Sequence, residues 1–257
     1  MKLQFSNNPL KILEAHSGLS ALLVEKSDYD GIWISSLTHA ASKGLPDNEL
    51  VPLKERVDLT EEIRRITTKP IVVDIDTGGD IRHLPYYIQW FNRAGASAVI
   101  IEDKKYPKEN SLLENGNHQL EDIDIFCEKI RIAKMASQEM SIIARLESLI
   151  ARKSMNDALL RANAYREAGA DAILIHSKEE ISANEVMEFA KRFKETPKCN
   201  TPLVAIPTTY ELPEIHPFSI VIYANQLLRA SLKGMENYLE GKAELAEVED
   251  IFKLVGH

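Results

Sequence analysis

The sequence predicts an α/β fold, specifically a (β/α)8 barrel of the TIM type, formed as a single domain over residues 1–257. Eight short apolar runs alternate with amphipathic stretches, a pattern typical of parallel strands joined by crossover helices. The length of 257 residues is close to the roughly 250 at which such a barrel closes. No GxGxxG loop follows the first predicted strand, which disfavours an open doubly wound sheet.

Short runs rich in apolar and β-branched residues, separated by longer amphipathic stretches, predict the strands. Because the carboxyl ends of barrel strands meet at one face, residues that follow these runs are candidates for a common site. In chain order the predicted strands are Ala21–Val24, Gly31–Ser35, Ile71–Asp74, Ala98–Ile101, Ser141–Arg145, Ala172–His176, Leu203–Ile206 and Ser219–Tyr223.

Apolar residues at three- and four-residue spacing predict the helices between the strands. Gly95 and Gly169 stand at two similar junctions where a helix must end before a strand begins. The stretches Leu37–Leu53 and Lys104–Gln119 are too long for ordinary turns and are predicted to be active-site loops. Residues 236–257 predict one or two further helices. The other predicted helices are Leu59–Thr67, Ile88–Ala94, Glu121–Ser137, Ala158–Ala168, Ala183–Lys194 and Asn225–Leu239.

Composition and charge exclude several classes of function. The chain has 31 Lys and Arg against 39 Asp and Glu, and its net charge of -8 disfavours nucleic acid as a partner. No signal peptide is recognisable, and no apolar run approaches the roughly 18 residues needed to span a bilayer. Cys127 and Cys199 lie outside any CxxC or Cys/His cluster, so neither a disulfide nor a zinc site is indicated. We expect a soluble cytoplasmic protein that does not bind membranes.

Acidic residues collect at the ends of the predicted strands. Asp74 and Asp76 are two residues apart on one strand and therefore share a face, which is the inner face of a barrel in this register. With Glu102 and Asp47 nearby, the cheapest compensation for this buried negative charge is Mg²⁺ held by oxygen ligands and water. Alternatively, Asp76 begins an exposed turn with Thr77; the convergence of acids from separate strands favours the metal site.

Two cationic or titratable residues end the next apolar strands. Arg145 can bind a carboxylate or phosphate in a bidentate manner, and His176 can donate a hydrogen bond or a proton to the same anion. Alternatively, Arg145 only pairs with Glu147 at the rim of the barrel. Acids that hold a metal and cations that await an anion predict a site for a small metabolite with phosphate or carboxylate groups. Phosphoryl transfer, aldol-type cleavage and enolate proton transfer all suit such a site.

The loop after the fourth predicted strand carries a specific motif. Its residues 102–111 read EDKKYPKENS and resemble the E-D-K-x-x-x-K-x-N-S signature of phosphoenolpyruvate mutases, in the isocitrate lyase/phosphoenolpyruvate mutase superfamily. The chain departs from many relatives at Ile75, where a small residue is usual, and at Gly79, where an aromatic residue is usual. Further matching segments are Gly31–Leu37, Gly44–Asp47, Asp74–Gly78, Ile143–Ser148, Gly169–Ser177 and Pro207–Tyr210.

The resemblance implies that phosphoenolpyruvate is isomerised to phosphonopyruvate, the first step of phosphonate biosynthesis. The phosphoryl group moves from oxygen to carbon and forms a C–P bond, with Mg²⁺ as cofactor. The resemblance further implies a metal set of Asp74, which binds Mg²⁺ directly, and Asp76, Glu102 and Asp47, which act through water. It implies a catalytic set of Asp47, Lys108, Asn110, Arg145 and His176, and a substrate-binding set of Trp33, Ser35, Ser36, Leu37, Asn110, Ser111, Arg145 and His176.

Related activities define the alternatives. Phosphonopyruvate hydrolases generally have threonine where Asn110 stands, so Asn110 favours the mutase. Carbon–carbon lyases of the superfamily carry a cysteine in a K-x-C-G-H loop, which is absent from residues 108–111. A non-catalytic anion-binding barrel is a third possibility. The resemblance also implies exchange of the last barrel helix, Asn225–Leu239, between the subunits of a homodimer or homotetramer, and a partner enzyme that consumes phosphonopyruvate.

Overall fold

A computed structural model describes residues 2–5, 8–180, 182–197, 199–242 and 244–256. Eight parallel strands form a closed barrel in which each strand pairs with its neighbours in sequence and β8 pairs with β1. The predicted (β/α)8 barrel is therefore confirmed. The strands are β1 Leu10–Glu14, β2 Gly31–Ile34, β3 Ile71–Asp74, β4 Ala98–Glu102, β5 Ser141–Leu146, β6 Ala172–Ile175, β7 Leu203–Ala205 and β8 Ile220–Tyr223.

The prediction of the first strand was wrong. Residues 21–24 lie in helix α1, and the first strand instead precedes this helix in the chain. The helix begins with a capping box, because the side chain of Ser17 accepts from the backbone N–H of Ser20 while the side chain of Ser20 accepts from that of Ser17. Ala21 and Val24 are buried three residues apart, as on one face of a helix, whereas Leu23 is exposed.

One of the two predicted loops is partly helical. Residues 37–42 belong to α2, which begins after Ser35, and the Ser35 hydroxyl accepts from the Thr38 N–H. The segment 104–119 is irregular, as predicted, and is bounded by an isolated bridge between Lys104 and Leu120. The helices of the described residues are α1 Gly18–Glu25, α2 Ser36–Ser42, α3 Leu53–Arg64, α4 Leu84–Arg93, α5 Ile123–Ala136, α6 Met155–Glu167, α7 Asn184–Lys194, α8 Gln226–Leu239 and α9 Val248–Val255.

Apolar side chains form two layers, one inside the barrel and one between the strands and the helices. Ile12, Trp33 and Val72 belong to the inner layer, while their chain neighbours on the same strands pack outward against the helices. Gly95 and Gly169 end α4 and α6 with φ of 89° and 105°, a left-handed conformation that glycine adopts without strain. None of the helices is long and apolar enough to cross a membrane, in the part of the chain that the structure describes.

The last two helices differ from the rest. Neither α8 nor α9 has a buried residue. Both expose large apolar side chains, among them Leu232 and Met235 on α8 and Ile251 on α9. A helix usually buries its apolar stripe against another element, whereas the large apolar side chains of these two helices are exposed.

Candidate active site

A cavity of about 40 Å³ lies at the carboxyl ends of the barrel strands, beneath the segment 104–119. The site residues predicted from the sequence line this cavity, except Asp76 and Glu102, which are buried but are not among its lining residues. The structure thus brings together Trp33, Ser35, Ser36, Leu37, Asp47, Asp74, Lys108, Asn110, Ser111, Arg145 and His176.

Three of the predicted metal ligands are buried acids at or just after the ends of the neighbouring strands β3 and β4. Asp74 ends β3, Glu102 ends β4, and Asp76 is only 1% exposed, so the alternative of an exposed turn at Asp76 is wrong. Asp76 has a left-handed φ of 53°, and its N–H donates to Asp74 Oδ1 at 3.0 Å. Such backbone conformations are costly outside glycine and are concentrated at functional sites.

Two cations offset the charge of Asp76. Arg56 of α3 donates from Nη1 to Asp76 Oδ2 at 2.7 Å and to the backbone carbonyl of Asp74 at 2.8 Å. Lys108 Nζ lies 2.7 Å from Asp47 Oδ2 and 3.2 Å from Asp76 Oδ1. Burial alone would raise the pKa of Asp76, but Arg56 and Lys108 hold it well below the usual range.

Glu102 is compensated less well than Asp76. Its side chain is fully buried, and neither carboxylate oxygen accepts a hydrogen bond from a described residue. The Arg145 guanidinium is the cation paired with it, at 3.7 Å from Oε2. Burial raises the pKa of Glu102 to about 8. A buried carboxylate without donors is costly, and a cation or ordered water beside it would remove that cost.

The acids are suited to Mg²⁺, because carboxylate oxygens are the ligands that this hard cation prefers. The orphaned oxygens of Glu102 point to the same conclusion. In the described parts of the chain, no three His, Cys, Asp or Glu side chains are close enough to enclose a metal ion directly. Mg²⁺ commonly retains several waters, so one direct protein ligand with the other acids acting through water fits this arrangement.

Arg145, at the end of β5, organises the opposite side of the cavity. Its Nε lies 2.6 Å from Glu147 Oε1, and its Nη2 lies 2.8 Å from His176 Nδ1 and 3.1 Å from Ser111 Oγ. The pair with Glu147 exists, but it is buried within the site and does not lie at the rim. Burial, together with the Arg145 charge, lowers the pKa of His176 to about 4, so the imidazole is neutral at pH 7.

The segment 104–119 closes over the cavity and contacts both sides of it. Lys108 Nζ and Asn110 Nδ2 donate to the same oxygen, Asp47 Oδ2, at 2.7 and 2.6 Å. Ser111 Oγ donates to Glu147 Oε2 at 2.5 Å. Lys104 Nζ donates to Ser111 Oγ at 2.7 Å and forms an ion pair with Glu147 at 3.2 Å. The segment therefore supplies cations to the acids and hydrogen-bond donors to the cavity wall.

Glu49 links this segment to the turn after Asp76, and it was not identified as a site residue from the sequence. Its Oε2 accepts from the backbone N–H of Lys108 at 2.7 Å. Its Oε1 accepts from the Thr77 hydroxyl at 2.8 Å and from the Thr77 N–H at 3.2 Å. Glu49 has a left-handed φ of 62°, which is uncommon for glutamate. It thus ties the segment 104–119 to the turn that follows Asp76.

Arg56 and Glu147 were also missed as site residues. Arg56 had a detectable signal, because it lies with Thr60 and Ile63 at helical spacing on the buried face of α3. A charged residue at such a position needs a buried counter-ion. Glu147 was recognised only as a possible rim partner of Arg145. Its contacts with Ser111 and Lys104 depend on the fold of the 104–119 segment, which no periodic pattern predicts.

The sequence of this chain is similar to a known family and to relatives with different activities. The family model described as phosphoenolpyruvate phosphomutase matches residues 1–242. The phosphoenolpyruvate phosphomutase of Tetrahymena pyriformis is 34% identical over 95% of this chain and 86% of its own length. The phosphonopyruvate hydrolase of Variovorax sp. is also 34% identical, over 95% of this chain and 89% of its own.

Solved structures show the same relationship. The crystal structure of a phosphoenolpyruvate phosphomutase from Streptomyces platensis subsp. rosaceus superposes with a TM-score of 0.89 at 34% identity, covering 98% of this chain and 92% of that one. A phosphonopyruvate hydrolase in complex with oxalate and Mg²⁺ superposes with a TM-score of 0.84 at 31% identity, covering 96% of this chain and 90% of that one. Mutase and hydrolase relatives are therefore similarly close to this chain.

Proposed function

The chain belongs to the phosphoenolpyruvate phosphomutase family, and we propose that it interconverts phosphoenolpyruvate and phosphonopyruvate by intramolecular phosphoryl transfer. The P–O bond to the enol oxygen of phosphoenolpyruvate breaks as a C–P bond forms, and that oxygen becomes the ketone oxygen of phosphonopyruvate. Because relatives with hydrolase and mutase names are equally similar in sequence, the choice between these reactions depends on the site itself.

The observation that carries the proposal is the placement of Asn110. Its amide and the Lys108 ammonium donate to one Asp47 oxygen, which brings both side chains into the cavity with Arg145 and His176. A loose, metaphosphate-like transfer requires positioning and charge neutralisation more than covalent chemistry. These residues provide donors and positive charge without requiring a protein nucleophile. Asparagine at this position is also the mutase-like feature of the loop.

The closed segment 104–119 also supports transfer over hydrolysis. Lys108 and Ser111 are 4% and 3% exposed, so the closed form shields the cavity from bulk water. Water would compete with carbon for the phosphoryl group and release inorganic phosphate. Neutral His176 can accept or donate a hydrogen bond without adding a charge, while Arg145 supplies the cation for the phosphoryl oxygens.

Mg²⁺ is the cofactor we propose, with Asp74 as its direct ligand and Asp47, Asp76 and Glu102 acting through water. When bound, the ion would neutralise negative charge on the substrate oxygens. We predict that Asp74→Ala greatly weakens Mg²⁺ binding and the dependence of activity on Mg²⁺. Calorimetric titration of Mg²⁺ measures the first effect, and Asp80→Ala, which removes an acid outside the cavity after the same strand, is the matched control. Full Mg²⁺ affinity in Asp74→Ala would contradict the assignment.

Phosphonopyruvate hydrolysis is the second candidate, supported by the 34% identity to the Variovorax enzyme. A chain lacking turnover altogether would instead be an anion-binding barrel. Carbon–carbon cleavage is not proposed, because residues 104–119 contain no cysteine and Cys127 and Cys199 lie outside the cavity.

The deciding experiment is ³¹P NMR of the protein with phosphonopyruvate and Mg²⁺, since phosphonate, phosphate ester and inorganic phosphate give separate signals. The mutase produces the phosphate ester phosphoenolpyruvate, and Asn110→Ala greatly slows its appearance. Inorganic phosphate as the main product would establish the hydrolase instead. Binding without any new signal would favour the anion-binding barrel.

The proposed assembly is a homodimer or homotetramer that exchanges the last barrel helix, which begins in this structure at Gln226 as α8. The support is that α8 and α9 bury no residue within the chain. Because the isomerisation is expected to favour phosphoenolpyruvate, net C–P bond formation also requires a reaction that consumes phosphonopyruvate.

A further inference from the structure

A second cavity, here called the basic groove, lies on the other side of the segment 104–119. Its volume is about 470 Å³, and it shares no lining residue with the active-site cavity. Most of its walls are formed by the segment 104–119, by the turn after β5, and by Lys178, which follows β6. Its charged lining residues are Lys105, Glu114, Arg152, Lys153, Arg161 and Lys178.

The groove is strongly positive in a protein whose net charge is -8. Arg161, at the rear, is paired with Asp103 and Asp157. The side chains of the other four cations, by contrast, form no hydrogen bond or ion pair with another described residue. Glu114 is the one carboxylate among the described lining residues. Four cations facing one groove repel each other, and a bound anion would turn that repulsion into attraction.

One wall of the groove is rigidly built. Arg152 has a left-handed φ of 55°, a conformation that is costly for arginine. Backbone hydrogen bonds hold the turn on both sides of it, from Ala151 N–H to the Glu147 carbonyl and from Lys153 N–H to the Ser148 carbonyl, both at 2.8 Å. Arg152 and Lys153 are therefore presented from a turn anchored at Glu147, a residue of the active-site network.

The opposite wall belongs to the segment that closes the active site. Lys105 is held by a hydrogen bond from its N–H to the Gln119 carbonyl at 2.9 Å. His118 Nε2 lies 3.1 Å from the Leu113 carbonyl, while its Nδ1 is buried and has no partner among the described residues. An anion in the groove would therefore contact both the closing segment and the fixed turn after β5.

We propose that the basic groove binds a small dianion with a phosphate or phosphonate group and that the bound anion holds the segment 104–119 closed. Arg152 provides bidentate donors, and Lys105, Lys153 and Lys178 provide point charges from both walls. A ligand that contacts the groove only in the closed form shifts the equilibrium toward that form. The binding site is independent of the reaction catalysed, whereas its effect on turnover rests on the proposed function.

The test is calorimetric titration of inorganic phosphate into the protein at low ionic strength. Arg152→Ala/Lys153→Ala removes two cations of the groove, and Lys191→Ala/Lys194→Ala removes two exposed lysines of α7 as the matched control. Loss of charge-assisted hydrogen bonds is expected to weaken phosphate binding by about tenfold or more in the groove variant. The wild-type protein and the control should bind phosphate with equal affinity. Titration with sodium acetate at the same ionic strength should give no comparable binding.

A second measurement reports closure of the segment. A glutamate-specific protease cleaves after Glu114, which is exposed in the segment, and phosphate should slow this cleavage in the wild-type protein and the control but not in the groove variant. Equal phosphate affinity in the two double variants would overturn the binding site. Phosphate binding in the groove without protection at Glu114 would overturn the effect on closure. Neither result depends on turnover, so both are distinguishable from a failure of the ³¹P assay.

Discussion

Replacing Glu49 by alanine should open the segment 104–119 without unfolding the barrel. Glu49 is the residue whose carboxylate contacts both the Lys108 backbone and Thr77, so it links the closing segment to the turn after Asp76. Alanine removes both contacts and leaves the apolar layers of the barrel unchanged. Lys108 then loses a backbone anchor, although its ammonium can still pair with Asp47.

The expected change in the ratio of closed to open forms can be worked out from one hydrogen bond between Glu49 and the segment 104–119. The bond from Lys108 N–H to Glu49 Oε2 is 2.7 Å long and has a charged acceptor. Such a bond contributes about 1.5–3 kcal/mol, or roughly 10- to 150-fold in the ratio of closed to open forms. Burial and then the Asp76 charge raise the pKa of Glu49, so removing the carboxylate also relieves repulsion. We therefore expect Glu49→Ala to lower the ratio of closed to open forms by about tenfold, near the lower end of this range.

Trypsin cleavage after Lys108 measures the opening, because Lys108 is 4% exposed in the closed form. Glu49→Ala should be cleaved there about tenfold faster than wild type, with a turnover that falls and a larger share of inorganic phosphate in the ³¹P assay. Glu61→Ala, which removes an exposed carboxylate of α3, is the control and should match wild type. Unchanged cleavage after Lys108 in Glu49→Ala would refute the role of Glu49 in closure.

Three further results are expected. Arg56→Ala leaves Asp76 buried without its main counter-ion and should lower the free energy of unfolding by about 3–5 kcal/mol, measured by urea denaturation. Burial, aided by Arg56 and Lys43, lowers the pKa of His39 from 6.5 to about 4. Only the unfolded state binds this proton between those values, so stability should fall by about 3 kcal/mol as the pH drops from 6.5 to 4, and His39→Gln should lose less. Light scattering should give a particle mass at least twice 29.0 kDa, and a monomer at micromolar concentration would contradict the exchange of α8.

The order of strands and helices could be predicted because most barrel strands are short apolar runs buried on both faces. The first strand was misplaced for a physical reason. Leu10–Glu14 contains a lysine and a glutamate, whereas Ala21–Val24 is wholly apolar. The capping box formed by Ser17 and Ser20 favours a helix for the second segment, and apolar composition alone does not reveal this pair.

The site could be predicted to the extent that its residues follow strands. Asp74, Glu102 and Arg145 were identified in this way, since the ends of parallel strands converge in any closed barrel. Glu49 could not, because it lies in a loop. Arg56 could be flagged only as a charged residue at a buried helical position, and the helix pattern does not say which acid it contacts. Their roles depend on distances between segments far apart in the chain, and a single sequence does not encode such distances in any periodic pattern.

The charges of the site explain why its closure and its ligands should depend on each other. Five buried carboxyl groups face four buried cations, and Glu102 is mostly protonated at pH 7 because its pKa is raised to about 8, so the closed site has no large excess of positive charge for an anionic substrate. The carboxyl groups are Asp47, Asp74, Asp76, Glu102 and Glu147, and the cations are Arg56, Lys104, Lys108 and Arg145. Two of the cations, Lys104 and Lys108, belong to the closing segment, so opening it would leave the acids still less compensated. A divalent cation suits the open site for this reason, and it would offset part of the charge that an anionic ligand brings when the two lysines return.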